Sequence, residues 1–409
     1  MLTRRLAMLF SAATLFGAAP ALAQPRKGPM HGAAALAKQK AAQAALPPAT
    51  PANTPLGPVD TTARWAIVED YNTNATLLDK SADERMPPSS MTKLMTLYIV
   101  LSRLKAGRLK LTDQLPVSEK AWKMGGSKMF VQIGTTVPVE DLLRGLVVDS
   151  GNDACIVLAE AISGSEEQFA DLMNTTGKKL GLINSHFMNA TGWPDDNHYM
   201  CVRDIATIAR ALIADFPEYY HYDSEKTFTY DNIKQYNRNP MVQHGTADGL
   251  KTGHTEAGGY GLVASTQHGD RRIVLVLNGM ATERERSEEG DRLMDWAFAN
   301  FEDVRLFAAN DVVQEVPVWL GTSPTAPLVP GKDLTATMPR NWRQKAKIDV
   351  TYATPIRAPV AKGTTLGHLT ISGDGLPSID APLLAGADVP RLGLPGRAMA
   401  VLAHYITGG

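Results

Sequence analysis

The chain has 409 residues, 44% of them hydrophobic and 20% charged, with a formal net charge of −1. That length accommodates two or more domains with a sizeable core in at least one of them. The balanced charge offers no basic field for nucleic acid and no acidic tail for a basic partner.

The N-terminus has the marks of an export signal. Arg4 and Arg5 are followed by an apolar run, Leu6 to Ala18, too short to span a bilayer, and Ala21-Leu22-Ala23 offers a cleavage site before Gln24. A twin-arginine reading of Thr3-Arg4-Arg5 fits poorly with the residues after it. Residues 1–23 are therefore read as a signal peptide and 24–60 as an Ala/Pro-rich disordered spacer, with folded structure from Arg64. Two cysteines are too few for a disulfide framework. Cys155 on a helical stretch, far in sequence from Cys201, leaves a bridge between them open but disfavoured. No H-E-x-x-H or C-x-x-C occurs, and the histidines are scattered, so no metal site is expected.

In chain order, Trp65-Ala66-Ile67-Val68 and Ala75-Thr76-Leu77-Leu78 read as strands around a turn at Asn72-Thr73-Asn74. A helix runs from Ser90 to about Lys105, with apolar residues too continuous for a surface position, so it should be buried. Helical patterns follow at Val139–Val148, Asp153–Ile162, Glu166–Leu180 and Arg203–Asp215. Strands return at Gly261–Ser265 and Arg272–Leu277, and an amphipathic helix spans Arg286–Phe301. Strands at both ends with helices between them imply an α/β domain, residues 61–302. Short β-like runs at Gln314–Trp319, Asp333–Thr337, Ala346–Thr351 and Thr365–Ile371, punctuated by Pro and Gly, read as a small all-β domain, 303–392. The tail, 393–409, reads as a short amphipathic helix with Leu394, Val401, Leu402, Tyr405 and Ile406 on one side.

Three short motifs occur in one order: Ser90-Met91-Thr92-Lys93 (S-x-x-K), Ser150-Gly151-Asn152 (S-x-N) and Lys251-Thr252-Gly253 (K-T-G). Each alone is weak, since Ser90 can simply cap a helix and Ser-Gly-Asn can simply turn the chain. Together, each on a suitable element, they point to acyl transfer at a serine. Residues three apart share a helix face, so Lys93 can reach the Ser90 hydroxyl, and a helix N-terminus favours negative charge there. Lysine serves as a base only if burial and a neighbouring cation lower its pKa, and Lys251 is the candidate cation. Ser150 is placed to relay a proton to a leaving amine, and Asn152 to grip a peptide bond. Lys251 and Thr252 can bind a carboxylate, with Gly253 letting a substrate backbone approach. The backbone N–H of His254 is a candidate oxyanion donor on an edge strand, its side chain a wall of the site.

The stretches Pro88–Thr96, Val148–Cys155 and Asp248–Ser265 resemble the active-site segments of low-molecular-mass penicillin-binding proteins, the serine D-Ala-D-Ala carboxypeptidases. Similarity continues through Asn189–Gly192, Gln235–Asn239 and Leu293–Trp296 into the β domain and tail. The resemblance implies a penicillin-binding-protein/β-lactamase-like fold, an antiparallel sheet with a helical cluster. It also implies a two-step reaction in which Ser90 attacks the penultimate D-Ala carbonyl of a peptidoglycan stem peptide, releases D-Ala, and is freed by water without a cofactor. β-Lactams mimic D-Ala-D-Ala and would acylate the same serine. Arg286 occupies the place of the family's carboxylate-binding arginine, with Arg284 as the alternative. The family also implies a periplasmic enzyme docked on the inner membrane through its C-terminal helix.

Among rivals, a class A β-lactamase needs an acid in a motif such as E-x-x-L-N, and none lies between Gly164 and Lys251. D,D-endopeptidases of this fold generally lack the added β domain. A non-catalytic wall scaffold would have lost motif residues that are all present here.

Overall fold

The computed structural model describes residues 51–376 and 378–407. The expected signal peptide and all but the end of the expected spacer lie outside the described residues. That end is not loose: Ala52 is fully buried and bridges to Val59, and Asn53 bridges to Asp79, so ordered chain begins well before Arg64.

The elements run as follows. Strands β1 (Trp65–Asp70) and β2 (Thr76–Lys80) lead to a 3-10 turn (Ser89–Thr92) continuous with α1 (Lys93–Lys105). Then come β3 (Gln114–Pro116), α2 (Glu119–Lys123), β4 (Thr136–Pro138), α3 (Val139–Val147), α4 (Asn152–Ser163), α5 (Glu166–Leu180) and α6 (Val202–Asp215). After a second 3-10 turn (Tyr220–Ser224) follow β5 (Thr227–Tyr230), β6 (Ile233–Tyr236), α7 (Pro240–His244), β7 (Gly249–Thr255), β8 (Gly259–His268), β9 (Arg271–Met280) and α8 (Glu283–Asn300). The remainder is β10 (Phe301–Phe307), β11 (Gln314–Trp319), β12 (Thr325–Pro330), β13 (Leu334–Pro339), β14 (Lys347–Tyr352), β15 (Ile356–Arg357), β16 (Thr365–Ser372), β17 (Ile379–Ala385) and α9 (Leu394–Thr407).

The first sheet is antiparallel in the order β2-β1-β9-β8-β7. Successive side chains of a strand point to opposite faces, and here both faces are apolar. Ile67, Val263, Val274 and Val276 pack into a cluster with α1, α3, α4, α5 and α6. Their alternates Ala66, Val68, Leu262, Ala264, Ile273, Leu275 and Leu277 pack against Leu293, Met294 and Ala297 of α8. The sheet is thus the middle of three layers, an α/β arrangement as the sequence implies. α1 is buried nearly throughout.

The helix expected from Arg286 begins earlier, at Glu283. Thr282 caps it, its hydroxyl accepting from Glu285 N at 3.1 Å, while the Glu285 carboxylate reaches one residue further back and accepts from Ala281 N at 2.8 Å. α8 runs directly into β10, so the junction between domains falls at Asn300–Phe301, and Phe301 is buried in the core shared with α8. The β domain has a six-stranded sheet, β14-β16-β17-β12-β11-β15, with β10 and β13 paired separately. Arg271 ties the two domains together by pairing with Asp70 at 2.9 Å and Asp303 at 3.4 Å.

Cys155 and Cys201 are both buried and free, so the bridge left open by the sequence does not form.

Candidate active site

The S-x-x-K segment does not begin as an α-helix. Ser90 is the second residue of the 3-10 turn, and Lys93 opens α1. Ser89 before it has φ +48, a left-handed conformation uncommon for serine. Two glycines hold that turn by making room for it. A Cβ at Gly192 would lie 1.8 Å from the Ser89 carbonyl oxygen, and one at Gly253 2.1 Å from Ser89 Oγ. Gly253 was expected to admit a substrate backbone; in the structure the space it leaves is filled by the turn that carries Ser90.

Lys93 is fully buried, and its Nζ lies 2.8 Å from Ser90 Oγ and donates to the Thr191 carbonyl at 2.8 Å. That carbonyl is aimed by Asn189, whose Oδ1 accepts from the N–H groups of Thr191, Gly192 and Trp193 at 3.2, 2.8 and 3.0 Å. Thr92, on the adjacent face, meets His198 Nε2 at 3.0 Å while Met188 N donates to Nδ1, so Nε2 carries the ring proton. Burial holds His198 down to a pKa of about 4 and therefore neutral.

The second motif lies between α3 and α4. Ser150 is buried with φ +59, and Asn152 is the first residue of α4. The Asn152 amide donates to the Gly125 carbonyl at 2.7 Å, which fixes its orientation. Beneath it the Asp153 carboxylate accepts from the N–H groups of Met129, Phe130 and Val131 at 3.0, 2.9 and 3.2 Å, tying that loop to α4.

The third motif is on β7, an edge strand, as peptide binding by strand addition requires. Lys251 and Thr252 are buried, and His254 is exposed with its ring 4.0 Å from that of Tyr260. Arg286, in the first turn of α8, lies with its guanidinium carbon 5.7 Å from the Tyr260 ring centroid. Its Nε is buried with no hydrogen-bond partner, and its nearest acid, Glu283, stands 3.6 Å away. Arg284 instead is exposed and paired with Glu288 at 2.7 Å. Of the two candidates, Arg286 is the one turned inward. Ser90, Asn152, His254 and the Thr191–Asp196 loop line one cleft of about 840 Å³.

The electrostatics differ in part from expectation. Burial lowers the Lys93 pKa to about 8, and the cation that adds to this is Arg238, not Lys251. Lys251 was expected to stay charged. Burial, with repulsion from Lys93, Arg238 and Arg286, pushes its pKa well below the ordinary value. Two lysines buried in one site hold one proton more readily than two.

Sequence reasoning gave no role to Arg238, Thr191 or Asp149, although the segments that resemble the family contain them, and it did not single out His198. Arg238 is delivered by the β5–β6 hairpin, whose two-residue turn, Asp231-Asn232, has φ +47 and +60; that pair of turn residues is the signal in the sequence. Its Nε donates to the Asp149 backbone carbonyl at 3.1 Å. Among the described residues no group of His, Cys, Asp and Glu could hold a metal ion.

The family described as D-alanyl-D-alanine carboxypeptidase matches residues 50–282, and the penicillin-binding protein 5 C-terminal domain matches 301–391. The chain belongs to the D-alanyl-D-alanine carboxypeptidase family. It is 38% identical to the D-alanyl-D-alanine carboxypeptidase DacC of Escherichia coli over 82% of this chain and 86% of that protein. It is also 38% identical to DacA of Haemophilus influenzae, over 83% and 88%. Penicillin-binding protein 5 from Haemophilus influenzae aligns with a TM-score of 0.71 at 38% identity, covering 82% of this chain and 99% of that one. The carboxypeptidase DacD from Francisella tularensis aligns at 0.74 and 30%, covering 82% and 95%. Membership makes the protein a serine-type carboxypeptidase acting through an acyl-enzyme, on a penicillin-binding-protein fold with an added β domain.

Proposed function

We propose that Ser90 is the nucleophile that removes the terminal D-Ala from peptidoglycan stem peptides. The observation that carries this assignment is the 2.8 Å approach of Lys93 Nζ to Ser90 Oγ, on a lysine whose burial brings its pKa to about 8. With Nζ neutral, the hydroxyl donates its proton to the nitrogen, which keeps a hydrogen for the Thr191 carbonyl. Ser90 Oγ then bonds to the penultimate D-Ala carbonyl carbon, and the backbone N–H of His254 steadies the oxyanion. As the C–N bond breaks, the proton taken up by Lys93 is relayed through the Ser150 hydroxyl to the departing amine, which leaves Lys93 neutral and Ser150 unchanged, and Asn152 holds the peptide against β7. Lys251, Thr252 and Arg286 receive the free terminal carboxylate; the unpartnered Nε of Arg286 supports that role. Water hydrolyses the ester and restores Ser90.

Penicillin-Binding Protein D2 from Listeria monocytogenes, 27% identical to this chain, is known bound to ampicillin and to cefotaxime, which supports β-lactams as acylating ligands here. The β-lactamase alternative is not supported. Glu166 opens α5 and is engaged with Ala190 N at 3.1 Å and Lys120 at 2.9 Å. Labelled penicillin followed by peptide mapping tests the assignment. The adduct is expected on the Ser90 peptide and absent in Ser90→Ala, and an adduct on Ser89 or Ser150 would refute it.

We also propose a periplasmic location with the tail resting on the inner membrane. α9 exposes Leu394, Met399, Leu402, Tyr405 and Ile406, an apolar surface suited to a lipid interface. No helix among the described residues is long and apolar enough to cross a membrane.

A further inference from the structure

The Thr191–Asp196 loop brings a tryptophan to the cleft. Trp193 is 48% exposed, although a ring of its size is on average well buried. The loop beneath it is nevertheless fixed. Its N–H donates to Asn189 Oδ1 at 3.0 Å and to Thr191 Oγ1 at 3.1 Å, and its carbonyl accepts from Asn189 Nδ2 at 3.0 Å. The ring rests on two glycines: a Cβ at Gly125 would stand 3.4 Å from Cη2, and one at Gly126 3.2 Å from Cζ3. The Cβ at Gly126 would also meet the Asn152 amide nitrogen at 2.7 Å. The indole and the amide assigned to the peptide bond are therefore neighbours across one glycine. Other rings of the cleft are already covered. Tyr199 is half-buried under the Arg85 guanidinium, 4.4 Å from its centroid, and His254 lies against Tyr260 at 4.0 Å.

With its penultimate carbonyl at the His254 N–H and its terminal carboxylate at Lys251 and Thr252, a bound peptide runs antiparallel to β7. Its earlier residues then pass toward Thr255, Glu256 and Ala257, which line the same cleft as Trp193. A strand advances about 3.4 Å per residue. The residue immediately before D-Ala-D-Ala therefore lies between the end of β7 and the Trp193 loop. A side chain of several methylenes at that place can cover the open indole, whereas a methyl group covers little of it.

We propose that Trp193 is a specificity-determining residue: its indole is the platform for the side chain that precedes D-Ala-D-Ala, and it selects peptides in which that side chain is long and straight. The proposal rests on the reading in which Ser90 releases the terminal D-Ala from a peptide lying along β7. Each methylene laid on the ring leaves water, and so does the ring surface it covers. Because the loop is already held by Asn189 and Thr191, little freedom is lost when the side chain settles on it.

The measurement is kcat/KM for release of D-Ala from acetylated peptides X-D-Ala-D-Ala in which X is alanine, norleucine or lysine. Norleucine and lysine share a straight carbon chain, without and with an amine. The native enzyme should prefer both to the alanine peptide by about tenfold. Trp193→Ala should bring that preference to about twofold or less, while Trp193→Phe, which keeps a ring on the same backbone, should retain about fivefold. Acylation by labelled penicillin shows that each variant is folded; where Trp193→Ala is not, the native preference and Trp193→Phe decide. A native enzyme that treats norleucine and alanine alike overturns the proposal. So does a Trp193→Ala loss shared equally by all three peptides, which would make the ring a support for Asn152 alone. A preference for lysine that norleucine does not share also overturns it, since the amine and not the carbon chain would then be read. Release of D-Ala from none of the peptides, by an enzyme that penicillin still acylates, would instead sink the D-Ala reading itself, and the proposal with it.

Discussion

The side-chain oxygen of Ser89 occupies the space into which a Cβ at position 253 would project; the two would stand 2.1 Å apart. Ser89 cannot simply swing aside, since it is buried and its carbonyl is pressed by Gly192. Gly253→Ala should therefore displace the turn carrying Ser90 and slow acylation by labelled penicillin about 100-fold. Ser89→Gly removes the obstructing hydroxyl and suits the positive φ. The double variant should recover most of the lost rate, and additive losses would show that Gly253 serves something else.

Lys93 and Lys251 should separate under substitution by arginine, which keeps its proton. Lys93→Arg should reduce acylation by about three orders of magnitude, whereas Lys251→Arg should lose far less. In the native enzyme the acylation rate should rise with pH through about 8, because the base is the deprotonated form of Lys93. Stopped-flow acylation across pH 6–10 measures both effects. Equal, small losses in the two variants would contradict the assignment.

Asp149 should leave a mark on stability. Its folded pKa of about 7 lies above the ordinary carboxylate value, so between the two the unfolded chain holds fewer protons than the folded one. Stability contributed by the protonated form is therefore lost as pH rises toward 7. Asp149→Asn removes that penalty. The variant should gain about 2–3 kcal/mol over the native protein at pH 7.5, and the gain should shrink toward zero near pH 4. Denaturant titrations at the two pH values give the comparison.

Deleting Pro395–Gly409 should move the enzyme from the membrane fraction to the soluble fraction without loss of penicillin binding. The helix is joined to the β domain through Leu392 N to Leu320 O at 2.9 Å and a ring contact between Trp319 and His404. Neither touches the cleft. A mature full-length protein that is already soluble would exclude the anchor.

The motifs were legible because S-x-x-K, S-x-N and K-T-G are short chemical words, each confined to one turn or strand. What surrounds them was not. Arg238 reaches the site through a hairpin, and Thr191 through a carbonyl that only the Asn189 side chain aims. Each has a local signal, the Asp231-Asn232 turn for Arg238 and the Asx turn at Asn189 for Thr191, but neither signal says that the residue ends in the site. The early start of α8 was readable, since Thr282 followed three residues later by Glu285 is a helix-start signal. β12 and β17, which contain Pro327 and Pro382, were not read as strands, although β11 was read in spite of its own Pro317. The fate of Lys251 was out of reach for a different reason: burial among three cations is a property of the assembled site.

The strand order β2-β1-β9-β8-β7 carries a consequence for biogenesis. β1 is the first strand of its sheet in sequence, yet apart from β2 its partner is β9; Asp70 and Arg271, which pair across that seam, are 201 positions apart. Such pairing raises contact order, and chains of high contact order fold slowly because distant segments must meet first. A nascent chain that has emerged as far as Thr255 already contains Ser90, Lys93, Ser150, Asn152 and Lys251. It still lacks β8 and β9, the two strands that hold β7 beside β1. The complete site can therefore be assembled only after the last fifth of the catalytic domain has begun to appear, and a chain broken before β8 and β9 would carry every motif without the sheet that places β7.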